Sequence, residues 1–193
     1  MIKKGRGMSC IIHPTGMKGA GDPDHAIIKL KPDGSFDVIV GTVDIGQGAK
    51  TVLRQFAAEE LDVPLDSIVL INDNTDTSGV CTGTFASRAT FCSGNAVLAA
   101  ARDLKNKMRK VAGQYLKVNP DELEVGNYKV FKRDDPDIFV DIPTLAINAT
   151  WIMGECLVGH GSYLFSPPAK IDPETGAINS AEALAYGACV VDV

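Results

Sequence analysis

Val38-Ile39-Val40-Gly41-Thr42-Val43-Asp44-Ile45-Gly46-Gln47-Gly48-Ala49-Lys50-Thr51-Val52-Leu53-Arg54-Gln55-Phe56-Ala57-Ala58-Glu59-Glu60-Leu61 runs from an apolar strand through a glycine-rich loop into a helix. The change of period decides that reading. Phe36 to Gly41 is a β-type run, whereas from Lys50 onward Val52, Leu53, Phe56, Ala57 and Leu61 fall on one helical face. Pro64 stops the helix, because the residue before a proline avoids helical geometry. Upstream, His25 to Lys31 is another β-type run, and the turn signal Pro32-Asp33-Gly34 joins the two runs as a hairpin. Within the loop, Gly46 and Gly48 permit close backbone approach to a bound group. Gln47 between them carries two donors and an acceptor, and the helix N-terminus offers N–H groups to an anion. The spacing alone fits an ordinary strand-to-helix turn equally well.

Working outward, Ser67 to Ile71 is a buried-strand run, followed by a polar, turn-rich loop from Asn72 to about Ala86. A second amphipathic helix fits from near Ser93 to Val111, with Val97, Ala100, Leu104, Met108 and Val111 on one face. Its basic residues between Lys105 and Lys110 suit the negative end of a helix dipole and read as a solvated face. Asp121 to Lys132 and Ile138 to Ile142 are expected as strands, and Pro143 to Ala149 as a short helix. Glu155 to Phe165 and Ala183 to Val193 are further β-like runs, separated by a turn-rich stretch from Ser166 to Gly176. The predicted class is α+β, with short mixed or antiparallel sheets packed against two main amphipathic helices.

The chain has 193 residues with 45% hydrophobic and 22% charged, the balance of a folded domain. Its net charge of −5 argues against nucleic acid or an anionic membrane as partner. No apolar run approaches the roughly 18 residues of a membrane span, and no signal-peptide core opens the chain. Cys10, Cys81, Cys92, Cys156 and Cys189 show no metal-type spacing, so reduced thiols in a cytoplasmic protein are expected. Gly41 to Gly46 opens like a phosphate loop, and Ile68 to Asp73 could pass for a strand ending in a magnesium-holding acid. Gln47-Gly48-Ala49, however, intervenes where lysine should follow the glycine. That shift moves Lys50 most of a turn from the phosphates, so a nucleotide-binding protein is only a distant alternative.

A second constellation is Thr82-Gly83-Thr84-Phe85-Ala86-Ser87-Arg88-Ala89-Thr90, dense in small and hydroxylated residues just before the long helix. It could hold a phosphate through backbone N–H groups and hydroxyls, or simply cap the helix. The order of segments is distinctive. Asp44 to Gly48 with Thr51 is followed by Ala57/Ala58-Glu59-Glu60-Leu61-Asp62-Val63-Pro64, then Asp76-Thr77, Gly83 to Thr90, and Gly94-Asn95-Ala96-Val97. Gly5-Arg6-Gly7, Pro32-Asp33-Gly34-Ser35 and Ala185-Tyr186-Gly187 flank them. This order resembles the molybdopterin-binding subunit of the xanthine dehydrogenase and aldehyde oxidase family, over nearly the whole chain.

The resemblance implies a molybdenum–molybdopterin cofactor, as such or as its cytosine dinucleotide. Gly46, Gln47 and Gly48 would meet it near the dithiolene and pterin. Ala86, Ser87, Arg88 and Thr90, with Thr84 and Phe85, would hold the pterin and its phosphate or dinucleotide extension. It further implies hydroxylation of a small-molecule substrate at the molybdenum, a glutamate as base, and electrons leaving through iron–sulfur and FAD groups on partner domains or subunits. The family's base lies in a Gly-Glu-Pro-Pro-like segment, and Gly154-Glu155-Cys156 lacks the prolines. The family's early Phe-Gly-Gly-Lys loop is absent too, and its subunits are several times longer. Residues 1–193 are therefore expected to be one fragment, with a possible subdivision at 1–115 and 116–193, or else a non-catalytic split subunit or assembly module. It would bind the remaining part of the subunit and be inert alone. No catalytic residue or metal ligand is assigned. Asp44 is expected to be a loop acid, Glu59 and Glu60 helix-surface charges, His13, His25 and His160 solvated or structural, and Trp151 a packing residue.

Overall fold

The computed structural model describes residues 3–16, 21–165, 170–179 and 183–193. In chain order the elements are β1 (Arg6–Pro14), β2 (Asp22–Leu30), β3 (Phe36–Val40), α1 (Ala49–Leu61), β4 (Ile68–Ile71) and α2 (Gly94–Leu116). They continue with β5 (Leu123–Gly126), β6 (Lys129–Lys132), β7 (Asp135–Asp141), α3 (Ile142–Ile147), β8 (Val158–Phe165), β9 (Lys170–Ile171), β10 (Ile178–Asn179) and β11 (Leu184–Asp192). The architecture is α+β.

The expected hairpin forms, with Leu30 of β2 opposite Phe36 of β3 and Gly34 taking the positive φ of +86° that its turn requires. It is the middle of a four-stranded sheet ordered β4-β3-β2-β8, parallel only between β3 and β4. The parallel pair needs a crossover, and α1 supplies it. Alternation along β2 and β3 turns Ala26, Ile28, Leu30, Phe36, Val38 and Val40 into the core. Against them pack Leu53, Ala57 and Leu61 of α1 and Ala96, Val97, Ala100, Leu104 and Met108 of α2. Strand β8 lies directly on α2, because Gly159 and Gly161 present no side chain to it: a Cβ at Gly161 would collide with the Ala96 carbonyl.

Some expectations change. Asp121 to Lys132 is a 3-10 turn (Pro120–Glu122) followed by the β5–β6 hairpin, turned at Asn127 and Tyr128 with φ of +51° and +58°. These strands and β7 make a three-stranded antiparallel sheet. The long helix runs past Val111 to Leu116, and a π-helical turn, Ala89–Ser93, leads into it. Trp151 does not pack; it is 74% exposed in a second π-helical turn, Asn148–Ile152. Strand β1 was not marked by patterning at all. It pairs antiparallel with β11, Arg6 opposite Asp192 and Pro14 opposite Leu184, as a ribbon separate from the main sheet. Part of the turn-rich stretch, 166–169, lies outside the described residues. Among the described residues no helix is long and apolar enough to cross a membrane.

Candidate functional site

The loop between β3 and α1 is organised by one carboxylate. Asp44 Oδ1 accepts from Gly46 N–H at 2.8 Å and Gly48 N–H at 3.4 Å, and Oδ2 accepts from Lys50 N–H at 2.9 Å. The helix N-terminus therefore differs from the expectation of free N–H groups: its first turn already holds an anion, supplied by its own loop. Gly46 and Gly48 take φ of +103° and +87°, which wraps the loop around Asp44. Gln47 folds back as well. Its Oε1 accepts from Ile45 N–H at 2.7 Å and its Nε2 donates to the Val43 carbonyl at 3.3 Å.

The N–H groups of Lys50 and Gly46 hold the Asp44 carboxyl below the usual carboxylate range. A folded-state pKa below the unfolded one gives stability that is present above the unfolded value and is lost as pH falls through the folded value. Asp44→Ala is accordingly expected to lower Tm at pH 7, with the gap to wild type closing below about pH 4. Thermal melts of both proteins across that range test this; a gap that stays constant with pH would remove Asp44 from its capping role.

The second segment is tied to the first. Thr84 Oγ1 donates to the Val43 carbonyl at 2.8 Å, and Gly16 N–H, just past β1, donates to the Ala86 carbonyl at 2.8 Å. Ala86 and Ser87 follow each other at φ of +49° and +53°, costly for residues with a side chain and so held by their surroundings. Those surroundings centre on Arg88, which is wholly buried. Its Nε lies 2.6 Å from Asp22 Oδ1 and its Nη2 3.2 Å from Asp24 Oδ2, with both carboxylates equally buried. It also donates to the Pro23 carbonyl at 3.0 Å, the Gly83 carbonyl at 2.8 Å and Cys81 Sγ at 3.1 Å. Thr82 donates to Asp22 at 2.7 Å and Thr42 to Asp24 at 3.2 Å, while the Ser93 hydroxyl adds a second bond to Asp24. Burial pushes the neighbouring Cys92 thiol up to about 11, so it stays protonated.

Gln47 and the run from Thr84 to Thr90 meet in an open groove of about 410 Å³, completed by His13 and Ile45. Gly46 and Gly48 flank Gln47 in the chain without lining this groove. Phe85, Ser87 and Thr90 are exposed there. The Arg88 guanidinium points away into the ionic cluster, so the groove-facing part of that residue is its backbone. His13 was missed by sequence reasoning: it reaches the groove only through the pairing of β1 with β11. Among the described residues, no group of three or more His, Cys, Asp or Glu is placed to hold a metal ion.

Comparison with known proteins adds the family. The model for the molybdopterin cofactor-binding domain matches residues 1–193, and the chain belongs to that family. It is 35% identical over 158 residues to the carbon monoxide dehydrogenase large chain of Afipia carboxidovorans, covering 81% of this chain and 18% of that protein. To the probable hypoxanthine oxidase XdhD of Escherichia coli strain K12 it is 33% identical over 161 residues, covering 83% and 16%. The solved structure of reconstituted CO dehydrogenase from Oligotropha carboxidovorans superposes with a TM-score of 0.73 at 28% identity, covering 98% of this chain and 24% of that one. The chain thus spans less than a fifth of the length of these two curated relatives.

Proposed function

We propose that this chain forms one wall of the cofactor site in a molybdenum hydroxylase of the xanthine dehydrogenase and aldehyde oxidase type. The observation that carries this is the single groove in which Gln47 and the Thr84 to Thr90 run converge. The donor set fits a molybdopterin. Among the described residues no Asp or Glu lines the groove to repel a phosphate, Gln47 offers a neutral amide, and the exposed Ser87 and Thr90 offer hydroxyls. Gln47, oriented by its bonds to Ile45 and Val43, would offer its remaining Nε2 hydrogen and Oε1 lone pair to the pterin. Ser87, Thr90 and the backbone from Thr84 to Ala89 would hold the phosphate, or the cytosine dinucleotide extension, and Phe85 would cover an apolar edge. When bound, the cofactor supplies the molybdenum at which a small organic substrate is hydroxylated.

Among the described residues no carboxylate lines the groove, so a glutamate base would come from the rest of the subunit, which is its partner. The ribbon of β1 and β11 supports that reading. It exposes Met8 (74%), Ile12 (65%), Tyr186 (72%) and Val190 (57%), and a two-stranded ribbon is marginal without cover. Iron–sulfur and FAD groups would sit on further domains or subunits of a cytoplasmic complex. The same ribbon also suits the second reading, a non-catalytic split subunit that assembles with a catalytic one.

Metal and pterin analysis of the full-length gene product tests the proposal. Gln47→Ala should lower pterin and molybdenum content per protein at limiting cofactor about fivefold, as for one lost hydrogen bond. A wild-type product carrying neither molybdenum nor pterin would overturn it.

A further inference from the structure

Arg102, Lys105 and Arg109 recur at i, i+3 and i+7 of α2 and so share one face of that helix. They border a second groove of about 390 Å³, walled also by Asn106, Glu60, Glu124 and Arg133, which shares no residue with the groove at Gln47. Two of its four cations are matched: Arg102 lies 3.2 Å from Glu60 and Arg133 3.0 Å from Glu124. The other two are not. Lys105 donates to the Glu60 carbonyl at 2.7 Å and Arg109 to Asn106 Oδ1 at 2.5 Å, and among the described residues neither forms an ion pair with a carboxylate.

Both of those side chains are nevertheless half-buried, unlike the exposed Lys110 beside them. Lys105 closes the C-terminal end of α1 through the Glu60 carbonyl, whereas Arg109 has only the neutral Asn106 amide, and the two like charges stand at i and i+4. A solvated helix face explains Lys110, and the end of α1 explains Lys105, which leaves Arg109 with no charged partner among the described residues. The patch also opposes the chain's own net charge of −5.

We infer that this groove binds a small phosphate-bearing anion. Arg109 supplies a planar fork of donors matched to phosphate oxygens, and Lys105 a point charge beside it. Arg102 and Arg133, already steered by their glutamates, frame the opening. The concave shape and modest volume suit a diphosphate-sized group, and the inference does not depend on the cofactor reading.

Calorimetric titration of pyrophosphate into the full-length protein at constant ionic strength tests it. Saturable binding is expected, weakened roughly tenfold or more by Arg109→Gln, as for a lost charge-assisted hydrogen bond, and unaffected by Lys110→Gln. Amide shift mapping of the wild-type protein locates the site even if Arg109→Gln folds poorly: the largest shifts should fall on 102–109 and on Arg133. No saturable binding, equal affinity in Arg109→Gln, or shifts concentrated on 84–90 would each overturn the inference.

Discussion

Arg88→Met should cost about 3–5 kcal/mol in urea denaturation, because it removes a buried cation that pairs with two buried carboxylates. Asp22 and Asp24 are each fully enclosed, and Arg88 contacts both. With the guanidinium gone, Thr82, Thr42 and Ser93 still donate to the carboxylates, but the positive charge that Arg88 brings to both is lost. A domain's whole stability is only about 5–15 kcal/mol, so much of the molecule should unfold at modest urea. The triple variant Asp22→Asn, Asp24→Asn and Arg88→Met should recover part of the loss, since the two buried carboxylate charges are removed along with the cation. A loss below about 1 kcal/mol for Arg88→Met would mean that the cluster is held by packing alone.

Gly161→Ala should be nearly as damaging, at about 3 kcal/mol, the upper end for overpacking. The new methyl would overlap the Ala96 carbonyl and the Ala100 amide of α2, and lie 3.0 Å from Ala100 Cα. All three are main-chain atoms, so relief requires separating β8 from the helix, which opens the core over Leu104. The effect is steric, since Gly161 is not among the glycines at positive φ. Gly7→Ala is the matched control: a Cβ there meets nothing within 4 Å. Comparable urea midpoints for the two variants would refute the close approach of β8 to α2.

The helices and the central hairpin were legible because their apolar spacing reports one buried face. Strand β1 was not, for the same reason inverted. Arg6 to Pro14 is largely exposed on both faces, so it carries no alternation, and its partner β11 lies at the far end of the chain. The Asn127-Tyr128 turn hid because neither residue is the glycine that usually marks such a bend. Asp44 was visible as a loop acid, but not as the group closing the α1 N-terminus, because it caps from outside the usual cap position. Arg88 stood in the candidate set as a cofactor contact, without its side chain being expected to turn inward. One signal did exist. Asp22 and Asp24 share the alternating register of Ala26, Ile28 and Leu30, and two acids on a core-facing edge call for an enclosed cation.

The bonds from Thr84 to Val43 and from Gly16 to Ala86 fasten the floor and sides of the groove together in the free protein. A guest arriving there has few loops to immobilise, so little of its binding energy is lost to ordering them. Gln47 is oriented the same way, since its bonds to Ile45 and Val43 use one Oε1 lone pair and one Nε2 hydrogen and leave the other of each for a ligand. Recognition at that residue, as proposed, would add bonds to an amide that its own loop already aims. It would favour a ligand that sets an acceptor and a donor side by side, and discriminate against one that offers only one of them.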